Sequence, residues 1–72
     1  MRKYTLKQLR ELANDGMVTD VTEASENSLP KNFDRIGYSL GRDGMNGCLV
    51  RERDSGRYYV VIGRCSNLFY LM

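Results

Sequence analysis

Residues 47–72 form one stretch, GCLVRERDSGRYYVVIGRCSNLFYLM, that carries the strongest fold signal of the chain. Within it, Asp54-Ser55-Gly56 fits a three-residue hairpin loop, in which a type I turn is followed by glycine in the left-handed region. Apolar residues of the β-branched and aromatic kinds lie on both sides of this loop. The stretch therefore predicts a β-hairpin, followed by a strand over Asn67 to Met72.

The loop length fixes a register for this hairpin. With three loop residues, Val50 lies opposite Val60, and Arg51 lies opposite Tyr59. One face of the hairpin is then the core face, made of Cys48, Val50, Tyr58, Val60 and Ile62. The other face carries Leu49, Arg51, Arg53, Arg57, Tyr59 and Val61. A slip by one residue would exchange the faces on one strand, and the alternation favours this register over that of a two-residue loop.

The predicted last strand is apolar on both faces from Leu68 onward. Such a strand is either central and covered on both sides, or it meets another chain. The second alternative makes these residues a candidate protein interface: Leu68, Phe69, Tyr70 and Leu71.

Tyr4 to Gly16 carries the clearest helix signal. Thr5 suits the N-cap, and Gln8 three residues later completes a capping box. Tyr4 and Leu9 occupy the positions of a hydrophobic staple. Gly16 suits the position after the helix, because glycine adopts positive φ without steric cost. One apolar stripe at helical spacing follows, made of Leu6, Leu9, Leu12 and Ala13.

The middle of the chain gives weaker signals. Residues 17–22 alternate and favour a short strand, although Asp20 with Glu23 could cap a helical turn instead. Residues 22–32 are polar and contain the only proline, so they predict a loop or a short irregular helix beginning at Ser28. Arg35 to Leu40 alternates and predicts a strand, and residues 41–44 predict a turn.

These elements predict one small α+β domain over residues 1–72. The N-terminal helix packs across a three- to four-stranded antiparallel sheet that contains the C-terminal β-hairpin plus the terminal strand. A chain of 72 residues makes one domain at most. The predicted core contains part of residues 68–71 and the following: Leu6, Leu9, Leu12, Ile36, Tyr38, Val50, Val60 and Ile62.

Composition restricts the chemistry that this chain can perform. It contains no histidine, which removes the commonest general base and the commonest metal ligand. Two cysteines without histidine cannot make a Cys₄ or a Cys₂His₂ zinc site. The glycines at 41, 44 and 47 precede strand-like sequence rather than a helix, so they predict turns and not a phosphate-binding loop. We therefore expect no enzyme, no cofactor, no metal and no small-molecule substrate.

The outward face of the predicted hairpin carries arginines beside a tyrosine. Proteins that bind single-stranded nucleic acid combine cations with aromatic side chains on which bases stack. The candidate residues are Arg51, Arg53, Arg57 and Tyr59, here called the arginine strip. Solvent-exposed strands also carry these residue types, so the strip predicts either a nucleic-acid surface or an ordinary solvated face.

The remaining expectations concern charge, compartment and partners. Residues 1–10 are basic, residues 11–34 are acidic, and the rest is basic, which hints at a polarised surface. No apolar run is long enough for a membrane span or a signal peptide, so the expected compartment is the cytoplasm, with Cys48 and Cys65 reduced. The predicted function is a small interaction or regulatory module that binds a protein partner or forms a homodimer, with nucleic-acid binding as the alternative.

Overall fold

The computed structural model describes residues 1–72 and has a small α+β fold, as predicted. Five strands form one sheet, and two helices and two single 3₁₀ turns complete the chain. In chain order the elements are β1 (Arg2–Lys3), α1 (Leu6–Asn14), β2 (Thr19–Asp20), a 3₁₀ turn (Glu26–Ser28), β3 (Phe33–Leu40), a second 3₁₀ turn (Arg42–Gly44), β4 (Asn46–Glu52), β5 (Tyr58–Gly63) and α2 (Ser66–Leu71).

The sheet is mixed, with the strand order β1-β3-β4-β5-β2. The three central strands are antiparallel, but β1 runs parallel to β3, and β2 runs parallel to β5. The prediction of three or four strands, all antiparallel, is therefore wrong. Strand β2 lies within the short strand that residues 17–22 favoured, whereas β1 was not predicted, because two residues are too short for the alternation that identifies a strand in a sequence.

Helix α1 begins as its sequence predicts. The backbone N–H of Gln8 donates to the Thr5 hydroxyl at 3.1 Å, and the Gln8 side chain accepts from the Thr5 N–H at 2.9 Å. Tyr4 and Leu9, the staple pair, belong to one apolar cluster. After the helix, Gly16 has a φ of +77°, so the left-handed position is also where it was predicted.

The hairpin exists, but its predicted register is wrong by one residue. Leu49 pairs with Val60, and Arg51 pairs with Tyr58. The loop has four residues, 53–56, because the Glu52 N–H donates to the carbonyl of Arg57 at 2.8 Å and closes it. Gly56 has the predicted left-handed φ, +73°.

This slip changes which side chains share a face. One face of the sheet, here the α1 face, buries Leu9 against Leu49, Val60 and Ile62. The opposite face, here the α2 face, buries Leu68 and Leu71 of α2 in a cluster completed by Val21, Leu29, Cys48, Val50 and Val61. Since β4 and β5 are apolar on both faces, their alternation could not identify the core face.

The terminal segment is a helix and not the predicted strand. Residues 66–71 form α2, which packs on β4 and β5. Its buried positions, Leu68 and Leu71, are three residues apart, the spacing of one helix face. The prediction relied on the aromatic and apolar content of the segment, and the contacts with the sheet override that preference.

The segment between the helix and the sheet is mostly irregular. The 3₁₀ turn is at residues 26–28 and its N-cap is Ser25, so the predicted helix beginning at Ser28 is absent. Strand β3 contains the predicted strand, with an irregularity at Ile36. Tyr38, predicted for the core, is only half-buried and belongs to neither apolar cluster.

Candidate interaction surface

Helix α2 is fixed at its N-terminal end by one side chain. The Asn67 amide nitrogen donates to three backbone carbonyls: Val21 at 2.8 Å, Ala24 at 3.0 Å and Thr22 at 3.2 Å. These carbonyls belong to the chain that leaves β2. Asn67 therefore joins α2 and the segment after β2 into one layer on the α2 face.

The C-terminal end of α2 is fixed by the carbonyl oxygen of Leu71. This oxygen accepts from Arg35 Nε at 3.1 Å and from the Cys48 thiol at 3.6 Å. A cation at the C-terminus of a helix also interacts favourably with the helix dipole. Burial raises the pKa of the Cys48 thiol, an effect that Arg35 opposes, so the thiol keeps the proton that it donates.

Three side chains of the C-terminal segment remain exposed although the helix itself is firmly held. Phe69 is 78% exposed, Met72 47% and Tyr70 44%. Tyr70 lies against Phe33, with ring centroids 6.1 Å apart. In a helix, residues 69 and 72 project from the flank opposite residues 67 and 70. Phe69 and Met72 therefore point away from Phe33.

The other end of β3 also leaves apolar side chains uncovered on this face. Tyr38 pairs with Cys48, whose side chain faces α2, and by alternation Leu40 lies on the same side. Leu40 is 60% exposed. Helix α2 crosses the strands, since Asn67 lies beside residues 21–24 at the β5 edge and the Leu71 carbonyl lies beside Arg35 of β3. Its two flanks therefore face the two ends of β3, and the flank carrying Phe69 faces the Leu40 end.

The α2 face consequently has two halves of different height. The covered half consists of α2, which packs on β4 and β5, and of Val21, Ala24 and Leu29, which belong to the same apolar cluster. The open half is β1 with the second half of β3, where Lys3, Tyr38 and Leu40 share the face, because Phe33 and Arg35 in the first half of β3 contact α2. The predicted interface residues divide accordingly: Leu68 and Leu71 are core, while Phe69 and Tyr70 are available to a partner.

The arginine strip does not lie on one face of the sheet. Arg51 pairs with Tyr58 and lies on the α1 face, whereas Tyr59 pairs with Val50 and lies on the α2 face. Arg53 donates to the Asp34 carboxylate at 2.7 and 3.0 Å, and this pair is the only salt bridge of the structure. The physical reason is the one-residue slip, which moves β5 relative to β4.

An apolar groove on the α1 face was not predicted from the sequence. It has a volume of about 310 Å³ and runs beside the C-terminal half of α1. Only hydrophobic side chains line it: Tyr4, Leu12, Met17, Val18, Ile36, Leu49 and Tyr58. Leu12 belongs to the apolar stripe of α1. The sequence therefore contained no signal for the groove beyond the helical spacing that predicts α1.

Both outer edges of the central sheet have backbone or side-chain partners. At β5, the Val21 N–H donates to the Val60 carbonyl at 2.8 Å, and the Ile62 N–H donates to the Thr22 hydroxyl at 3.0 Å. At β3, the Tyr4 N–H donates to the Tyr38 carbonyl at 2.8 Å. A partner strand cannot add at these positions without displacing them.

The remaining observations concern metal ligands, membrane spans and relatives. No three His, Cys, Asp or Glu side chains come together as metal ligands would. Neither α1 nor α2 has the length and hydropathy to cross a bilayer. Comparison of the chain with protein-family models, with curated proteins and with solved structures finds no match.

Proposed function

We propose that this protein is a non-enzymatic interaction module that binds a protein through its α2 face. The contact surface contains the exposed side chains of α2 and of the open half: Leu40, Phe69, Tyr70 and Met72. The observation that carries the proposal is Phe69, a large aromatic side chain 78% exposed on a helix that is anchored at both ends.

Burying a phenylalanine is worth about 1.5–3 kcal/mol relative to leaving it in water. Phe69 does not obtain this within the chain, because Leu68 and Leu71 fix the orientation of the helix. Binding of a partner that covers Phe69 and Met72 gains this free energy of burial without any reordering of α2. Such preorganisation favours binding.

Substitution of Phe69 tests this proposal. We would capture partners of tagged wild-type, Phe69→Asp and Met17→Asp protein from a nuclease-treated lysate that also contains an untagged copy of the chain. Met17 is the matched control, since it is 66% exposed and lines the α1-face groove instead. The expected result is a set of proteins bound by the wild type and by Met17→Asp and lost with Phe69→Asp. Equal capture by all three variants would contradict the proposal.

Nucleic-acid binding is the alternative function, and one pairing favours it. Arg51 lies beside Tyr58, which is 39% exposed, and neither Arg51 nor Arg57 forms a salt bridge. Such a site would bind a single strand by stacking and charge, with an affinity that falls steeply as salt rises. Titration of a labelled oligonucleotide at two salt concentrations, with Arg51→Ala and Arg10→Ala as test and control, distinguishes this alternative.

A further inference from the structure

We infer that the protein bound by the α2 face is a second copy of this chain, arranged about a twofold axis that runs parallel to the strands. This inference rests on the proposed function, since it names the occupant of the same surface. Three features support it. The covered and open halves of the α2 face differ in height, the two sides of the face carry opposite charges, and a twofold axis determines which halves and which charges meet.

The difference in height between the covered and open halves makes the α2 face self-complementary in shape. The covered half stands above the sheet by the thickness of α2, while the open half is the sheet surface of β1 and of the second half of β3. When two such faces meet with one copy turned by half a revolution about the strand direction, the raised half of each lies over the open half of the other. In this arrangement Phe69 and Met72 of one copy contact Tyr38 and Leu40 of the second.

The two sides of the face also carry opposite charge. At one side Lys3 of β1 lies beside Tyr38, on the open half. At the other side residues 21–29 carry Glu23 and Glu26 and no cation. Glu26 lines a depression together with Tyr70 of α2, which places it on the α2 face. The strands β1 and β2 are the two edges of the sheet, about 19 Å apart at the usual strand spacing.

Symmetry decides which charges meet. An axis across the strands would bring β1 of one copy against β1 of the other and place Lys3 near Lys3. An axis along the strands brings β1 of one copy opposite residues 21–29 of the other and places Lys3 near Glu26. Opposite charges across an interface fix its orientation, and like charges penalise the wrong one. The strand-parallel axis therefore satisfies shape and charge together, and it makes the two α2 helices antiparallel.

The required area is available on a chain of this size. The molecule exposes 4820 Å², and a standard interface buries roughly 800 Å² per partner, about a sixth of this surface. The interface is isologous, so each contact occurs twice. A single substitution therefore changes two symmetric contacts in the dimer, which amplifies its effect on the dissociation constant.

A charge-exchange experiment tests the inference. We would measure self-association by analytical ultracentrifugation for the wild type, Lys3→Glu, Glu26→Lys and their equimolar mixture, with Lys7→Glu on the exposed side of α1 as the control. We expect a wild-type dimer, about tenfold weaker for each single variant and unchanged for Lys7→Glu. The mixture should recover wild-type affinity as a heterodimer. One symmetric contact then joins the two substituted side chains with their charges exchanged, and the other joins the native Lys3 and Glu26.

Each other outcome overturns the inference. A wild type that is monomeric at about millimolar concentration would remove the second copy as the occupant. Phe69-dependent capture of a different protein would then leave the proposed function in place. Single variants that dimerise like the wild type, or a mixture that does not recover, would exclude the strand-parallel axis. Leu40→Asp, at an exposed position of the open half, provides a second variant, and circular dichroism verifies that each variant is folded.

Discussion

The two helices of this protein lie on opposite faces of one sheet, and they form for different reasons. Helix α1 has nine residues with a complete capping box at Thr5 and Gln8. Helix α2 has six residues, and its N-cap, Cys65, makes no side-chain hydrogen bond. Isolated helices shorter than about 12–15 residues are marginal in water. Both helices are below this length and depend on packing against the sheet, but α1 adds a local capping box that α2 lacks.

Most residues of the proposed contact surface lie on the α2 face, whose helix was not predicted from the sequence. A segment whose structure depends on distant contacts can expose Phe69 and Tyr70 only because Asn67, Leu68 and Leu71 hold it in place. Substitutions on each face can test whether the two faces are equally stable.

The core leucines of the two faces should be equally important. Leu9 and Leu71 are both fully buried, one under each helix. We expect Leu9→Ala and Leu71→Ala each to lower the free energy of unfolding by about 2–5 kcal/mol, because both leave a cavity in a packed cluster. Urea unfolding measures this directly. A loss below about 1 kcal/mol for Leu71→Ala would indicate that α2 frays independently of the rest.

The anchor of α2 should have the next largest effect. Asn67→Ala leaves the carbonyls of Val21, Thr22 and Ala24 without this donor, and we expect a loss of about 1–3 kcal/mol. The control is Asn14→Ala, at the exposed end of α1. Amide exchange would localise the effect, since the Met72 N–H, bonded to the Leu68 carbonyl, should exchange faster only in Asn67→Ala.

The cap of α1 should matter less than either core leucine. Thr5→Ala removes the acceptor of the Gln8 N–H, and loss of such a cap costs about 0.5–2 kcal/mol. Thr19→Ala is the matched control, because Thr19 is exposed on β2. Helix α2 offers no equivalent substitution, because its N-cap residue makes no side-chain hydrogen bond. If both threonine variants unfold like the wild type, the capping box does not stabilise α1.

The sequence predicted elements wherever the signal was local. The capping box, the left-handed glycines at 16 and 56 and the alternation of β3 all came from adjacent residues. The hairpin register failed because Leu49-Val50 and Val60-Val61 are apolar on both faces, so that no face was marked as the core.

The candidate surface was predictable only in part, for the same physical reason. The sequence indicated residues 68–71 as a candidate interface within a strand; the structure has a helix there, which exposes Phe69 and Tyr70 and buries Leu68 and Leu71. The pair Leu68 and Leu71 at helical spacing was the only signal for α2, and six residues are too few to establish a period. The arginine strip depended on the register, so the same error separated Arg51 from Tyr59.

The smallest predicted effect concerns the ion pair that joins β3 to the hairpin loop. The hydrogen bond from Arg53 lowers the pKa of the Asp34 carboxyl from its ordinary value of 3.8. A lowered pKa in the folded state stabilises the fold above the unfolded pKa, and this contribution is lost as pH falls through the folded value. Both side chains are exposed, so the effect on stability should be slight.

Carboxyl NMR titration can detect this shift although unfolding experiments cannot. In the wild type the midpoint of Asp34 should lie below 3.8, and in Arg53→Ala it should rise toward that value. Arg10→Ala, with a cation removed from the exposed surface of α1, should leave the midpoint unchanged. An Asp34 midpoint that is the same in all three proteins would mean that the pair does not persist in solution. The hairpin loop would then be held by the backbone bond from the Arg53 N–H to the Asn32 carbonyl, and by the glycine at 56, without help from charge.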